Sequence, residues 1–128
     1  AQASADAAYR TSNILGTVSQ SAGVPTGAII ERGINANGEY TRWADGTQIC
    51  TADVPTSNSA DATWTFPAGF ATGSTPRVTG NSSDSSSTTC LSLKTHTTSN
   101  LSTRLMLITG ANARSSGVVS VKAHGRWY

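Results

Sequence analysis

The stretch NANGEYTRWADGTQIC, residues 35–50, holds two turn dipeptides, Asn37-Gly38 and Asp45-Gly46, on either side of a short aromatic and cationic run. Asn, Asp and Gly tolerate the positive φ angles that tight hairpins need. Asp45-Gly46 fits a two-residue type I′ turn joining two strands within residues 39–54. Such a turn sets the register: Ala44 opposite Thr47, Trp43 opposite Gln48 and Thr41 opposite Cys50. Trp43 and Cys50 then share one face, and Arg42 and Ile49 the other. The face with the large aromatic is expected to pack inward. Pro55 is expected to end the second strand, because it has no N–H for a ladder. Asn37, Gly38, Tyr40, Trp43, Asp45 and Gly46 are therefore read as a structural hairpin.

On the N-terminal side, ILGTVSQSAGVPTGAIIERGI (residues 14–34) is punctuated by Gly16, Gly23, Pro25, Gly27 and Gly33, which break any long helix. GAIIERG reads as a short buried strand centred on Ile29 and Ile30, and the rest as an extended linker. Residues 1–13 are Ala-rich and polar: either a frayed end or the last turns of a stalk helix, which alone would be marginal in water.

On the C-terminal side, TSNSADA (56–62) is a polar loop, and TWTFP (63–67) alternates with Trp64 and Phe66 on one side. Phe70 follows a turn, and PRVTG (76–80) is a short strand candidate. NSSDSSSTT (81–89) is a low-complexity loop, and CLSLKTH (90–96) puts Leu91 and Leu93 on one face. STRLMLITG (102–110) is mostly apolar and is expected to be buried on both sides around Leu105–Ile108. ANARSSG is a turn, and VVSVKAHGRWY (118–128) closes as a strand with Val119, Val121 and Ala123 on one side. Six to eight short strands predict an all-β antiparallel sandwich knob over residues 35–128, preceded by a stalk end and linker over residues 1–34.

The composition agrees. Leu, Ile, Val and Phe total 21 of 128 residues, a thin core, while 18 Ser and 19 Thr favour strands and solvated turns. A net charge of +2 does not fit the charge-rich composition of a disordered chain. The nine Lys and Arg are spread rather than gathered in a basic stripe, which argues against a nucleic-acid partner. No apolar run is long enough for a membrane-spanning helix, so no membrane insertion is expected. AQASADAAYR lacks the cationic start and apolar middle of a secretory signal. Cys50 and Cys90 are either bridged or two buried thiols; with His96 and His124 they have no metal-ligand spacing.

Catalytic patterns are missing. There is no G-x-S-x-G elbow, no phosphate-cradling Gly loop before a helix, and the seven carboxylates are not arranged as an acid–base pair. The chain is read as non-enzymatic, without a cofactor or metal. Recognition by loops on a β scaffold fits better. The candidate contact residues are Asn81, Asp84, Lys94, His96, Asn100 and Arg114. Trp43, Trp64 and Trp127 suit either a sugar-gripping surface or a core with little else to fill it, and the core role is favoured.

Residues 14–54 resemble the distal part of tail-fibre proteins of bacteriophages and prophages, especially those of α-proteobacteria and the related gene transfer agents. In that family a Gly- and Pro-punctuated lead-in precedes a pattern that here reads Gly33 to Cys50, with Trp43 at its aromatic place. TWTFPAGF (63–70) and the ending Gly125 to Tyr128 are similar to two further family patterns. The resemblance covers about residues 14–128, and residues 77–117 carry least of it. It implies a homotrimeric fibre or spike tip of the virion, attached to other virion proteins and touching a host cell-surface glycan. The alternative is a structural decoration or connector of the head, tail or baseplate with no ligand of its own.

Overall fold

The computed structural model describes residues 10–82, 92–108 and 113–128. A single 3-10 turn, Thr11–Asn13, precedes eleven strands. These are β1 (Gln20–Ser21), β2 (Val24–Pro25), β3 (Ile30–Asn35), β4 (Gly38–Trp43), β5 (Thr47–Thr56) and β6 (Ala62–Thr65). Then follow β7 (Arg77–Ser82), β8 (Ser92–His96), β9 (Ser102–Ile108), β10 (Arg114–Ser115) and β11 (Gly117–Arg126). All strand pairings are antiparallel, as the alternation of apolar and polar residues predicts.

Two sheets form the sandwich. The larger has the order β3-β4-β5-β11-β7, so β11 lies between β5 and β7. In the smaller, β9 is central: β8 pairs along one side, and β6 and β10 lie end to end along the other. The core sits between them. Cys50, Val54, Val119, Val121 and Ala123 of the larger sheet meet Trp64, Phe66, Phe70, Leu105 and Leu107. The division of sizes is complementary. Trp64, Phe66 and Phe70 form an edge-to-face chain, with centroids 4.9 and 5.1 Å apart, over small residues such as Cys50, Ala123 and Gly125.

The hairpin register differs from the expected one by one residue. Tyr40 lies opposite Cys50, Thr41 opposite Ile49 and Arg42 opposite Gln48. The connection is three residues, Ala44-Asp45-Gly46, closed by Gly46 N–H donating to Trp43 O at 3.0 Å. Gly46 alone takes a positive φ, +99°, which is the type I turn with a bulged glycine rather than type I′. A one-residue slip exchanges the faces. Tyr40 and Arg42 therefore face inward with Cys50, and Trp43 faces outward with Ile49. The two-residue turn with both φ angles positive occurs instead at Ala22-Gly23, between β1 and β2.

Other expectations are corrected too. Residues 14–28 are not an extended linker. They form the β1–β2 hairpin, closed below by Ala28 N–H to Thr17 O at 3.0 Å, and residues 14–16 dock on the start of β3 through a Leu15–Ile30 bridge with the bonds Gly16 N–H to Ile30 O (3.0 Å) and Ile30 N–H to Ile14 O (2.8 Å). A boundary after residue 34 runs through β3, which pairs fully with β4. GAIIERG leads into β3, the edge strand of its sheet, rather than forming a buried strand, and its Ile29 and Ile30 are only half-buried. Pro55 lies inside β5, opposite Val118, where β4 no longer covers the other side of the strand. β9 fully buries Thr103, Leu105 and Leu107, all on one face. Trp64 is core, whereas Trp43 and Trp127 are half-buried at the rim. The stalk reading of residues 1–9, and Asp84, Cys90 and Leu91, lie outside the described residues.

Candidate functional site

The hairpin turn is built to receive residues more than eighty positions away. Its four consecutive carbonyls are each taken by Arg126, Trp127 or Tyr128. Trp127 Nε1 donates to Trp43 O (2.7 Å), Tyr128 Oη to Ala44 O (3.1 Å), Arg126 Nη2 to Asp45 O (3.1 Å) and Trp127 N to Gly46 O (2.9 Å). The carbonyls of Ala44, Asp45 and Gly46 lie outside the β4–β5 ladder, so this clamp gives them partners, and it adds a second one to Trp43 O, which also accepts from Gly46 N–H. It explains why Gly46 must stay small: a Cβ there would lie 2.6 Å from Arg126 Nη2. Trp43, Asp45 and Gly46 are thus held by residues 126–128, a partner that spacing did not reveal.

Asp45 adds a local brace. Its Oδ1 accepts the Thr47 N–H at 2.9 Å, and this bond, with that to the Thr47 hydroxyl, holds the carboxyl below its usual range. A depressed carboxylate stabilises the fold above its unfolded pKa, and that contribution is lost as pH falls through the folded value. Asp45→Asn is therefore expected to flatten the acid limb of the stability–pH curve, measured by urea titration at several pH values. A limb identical to that of the parent would contradict this.

Directly beside the turn, a polar network closes the core. Gln48 is fully buried; its Oε1 accepts from Arg42 Nε at 2.6 Å, and its Nε2 donates to Ala68 O at 2.9 Å. Arg42 Nη2 reaches Gly69 O at 3.0 Å, and the guanidinium lies 5.7 Å from the Tyr40 ring centroid. Tyr40 Oη donates to Glu31, a bond that with burial raises the phenol above its ordinary value. Cys50 is a buried free thiol, its pKa raised by burial. These groups are spent on structure.

The outward face of the larger sheet offers a binding surface. The registers align two rows across four strands: Glu39–Thr51–Lys122–Thr79 and Asp53–Ser120–Asn81. All seven side chains are exposed, and together they line an open groove of about 700 Å³. Ser120 Oγ donates to Asp53 Oδ1 at 2.7 Å, which orients that carboxylate. The groove presents hydroxyls, an amide, two carboxylates and one ammonium on rigid strands. That set can donate to and accept from a polyhydroxylated ligand.

Of the six residues singled out for contact, Asn81 lies in this groove. Lys94, His96 and Arg114 share the outward face of the smaller sheet, with Arg104, which composition alone did not single out. Asp61 draws two of them together. His96 Nε2 lies 2.5 Å from Asp61 Oδ2, and Arg114 Nη2 donates to Asp61 Oδ1. His96 is thus a paired strand-end side chain rather than a solvated one, with its Nδ1 3.1 Å from the Thr97 hydroxyl. Asn100 is structural, its Nδ2 donating to Phe70 O at 3.4 Å, and Asp84 lies outside the described residues. The groove residues Glu39, Thr51, Asp53, Thr79, Ser120 and Lys122 were missed because all six sit on strands, not in loops of low complexity. Alternation marks them as outward positions, but only the strand order brings them side by side.

Among the described residues no three His, Cys, Asp or Glu side chains cluster to hold a metal ion, and no helix is long and apolar enough to cross a membrane. No protein-family model, curated protein or solved structure matches the chain.

Proposed function

We propose that this protein is a recognition module, the tip of a virion tail fibre or spike that binds a saccharide on the surface of a bacterial cell. The observation that carries the binding role is the polar groove across β4, β5, β11 and β7. Its size suits a small ligand, and its groups suit ring hydroxyls. Two carboxylates against one ammonium favour a neutral or amino sugar over an acidic one, although the whole chain is cationic. The virion assignment rests on the tail-fibre resemblance of residues 14–54, 63–70 and 125–128. The protein acts as a binder without a reaction of its own.

A second observation favours contact with other protein chains. Leu15, Val24 and Ile34 are 58, 61 and 74% exposed along the lead-in and the β3 edge. Scattered exposed apolar residues are normal, but Leu15 and Ile34 flank a sheet edge that, among the described residues, has no neighbouring strand beyond the bonds of residues 13–16 to Ile29 and Ile30. We assign that edge to packing between three copies, or against other virion proteins, which leaves the groove free. The test is light scattering of the purified chain, with adsorption to α-proteobacterial cells scored on the same sample. A trimer that adsorbs supports the reading. A monomer that ignores cells overturns it and favours a decoration or connector.

A further inference from the structure

We propose a second binding surface, separate from the groove: the outward face of β8, β9 and β6 takes the anionic groups of an acidic surface polysaccharide, with Lys94 and Arg104 as its main contacts. The register sets Lys94 opposite Met106 and His96 opposite Arg104, so Lys94 and Arg104 are diagonal neighbours on one face. Such neighbours are about 7–8 Å apart, close enough for long side chains to converge on one anion. Both are exposed. The carboxylate nearest to this face among the described residues is Asp61, and its two oxygens are taken by His96 and Arg114. Lys94 and Arg104 are therefore like-charged diagonal neighbours, and neither forms a salt bridge with a described carboxylate. Like charges so placed repel, and an anion bound between them removes that cost. An arginine fork and an ammonium together match a carboxylate or phosphate group, the first by paired N–H donors and the second as a point charge.

The surrounding chemistry selects a saccharide. Thr63, Thr65 and Ser102 place hydroxyls beside the cations, and half-buried Met106 offers an apolar flank for ring C–H groups. Nucleic acid would call for a longer basic stripe, and the one other Arg or Lys among the described residues of this face, Arg114, is paired with Asp61. The two faces of the sandwich then differ in preference: the groove for hydroxyl-rich neutral sugar, this face for acid groups.

The test uses the full chain and two probes, polygalacturonate and neutral dextran, with affinity measured calorimetrically at two salt concentrations. Binding to polygalacturonate alone, weakening at higher salt, is expected. Lys94→Gln with Arg104→Gln is expected to lower that affinity by about tenfold or more, since charge-assisted bonds are the strong ones. Arg32→Gln with Arg77→Gln makes the same change of charge on the other sheet and is expected to leave affinity nearly unchanged. Asp61→Asn removes the competing carboxylate and is expected to tighten binding, a gain that misfolding could not produce. Equal losses from both double variants would reduce the effect to net charge and overturn the proposal. So would an unchanged affinity in Lys94→Gln with Arg104→Gln, or competition by duplex DNA at the same charge concentration. Cell adsorption that survives these variants leaves the groove reading intact, so the two proposals fail separately.

Discussion

Replacing Arg126, Trp127 and Tyr128 together by alanine is expected to destabilise the protein by about 2–4 kcal/mol, from three side-chain hydrogen bonds of roughly 0.5–1.5 kcal/mol each with some lost ring packing. The three bonds are those to the carbonyls of Trp43, Ala44 and Asp45. The backbone bond from Trp127 to Gly46 remains available. Urea unfolding should show a lower midpoint with an unchanged slope, because the surface exposed on unfolding hardly changes. The effect should also be coupled to the turn. Gly46→Ala pushes a Cβ against Arg126, so its cost is expected to shrink in the triple-alanine background, as shared partners make changes non-additive. A triple variant as stable as the parent would show that water replaces the clamp without loss.

Trp64→Ala is expected to cost about 3–5 kcal/mol, the range for removing a buried aromatic and leaving a cavity. Trp64 is only 3% exposed and stacks edge-on to Phe66. It also ties the sheets: its Nε1 donates to Asn37 O at 2.9 Å, at the tip of the β3–β4 hairpin. Trp64→Phe separates the two roles. It keeps much of the packing and loses the tie, so a smaller loss is expected, with Asn37 O left to solvent. If both variants lost the same amount, the hydrogen bond rather than the ring would carry the stability.

Much of the sandwich is legible in the sequence, for a plain reason. Trp64 and Phe66, Leu105 and Leu107, and Val119, Val121 and Ala123 all alternate, and the described positions point to one core. Period-two burial is a local signal. The register of the central hairpin is not, because it turned on whether Asp45 or only Gly46 took a positive φ. The clamp on that turn supplies an answer from outside the local sequence: four carbonyls held by residues 126–128 favour the three-residue connection. The same holds for the lead-in. Its glycines read as breakers of a helix, yet Ala22-Gly23 makes a tight hairpin, and Leu15 before it bridges to β3. The candidate sites were legible only in part. Lys94, His96 and Arg114 could be singled out by type, but their shared partner Asp61 lies 35 and 53 positions away. The groove needed the order β4-β5-β11-β7, which sets Lys122 beside Thr51 and Thr79.

The measurement that bears most directly on the recognition role is binding of the purified chain to an array of bacterial surface saccharides, with a groove-filling variant in parallel. Ser120 lies mid-groove on an exposed strand position, and Tyr suits a strand, so Ser120→Tyr should fold normally while occupying the ligand's space. The account predicts that the parent binds neutral or amino sugars. It also predicts that Ser120→Tyr loses about tenfold or more in affinity, as expected for lost hydrogen bonds to a positioned ligand. A parent that binds no saccharide, or a variant that binds as tightly as the parent, would contradict it.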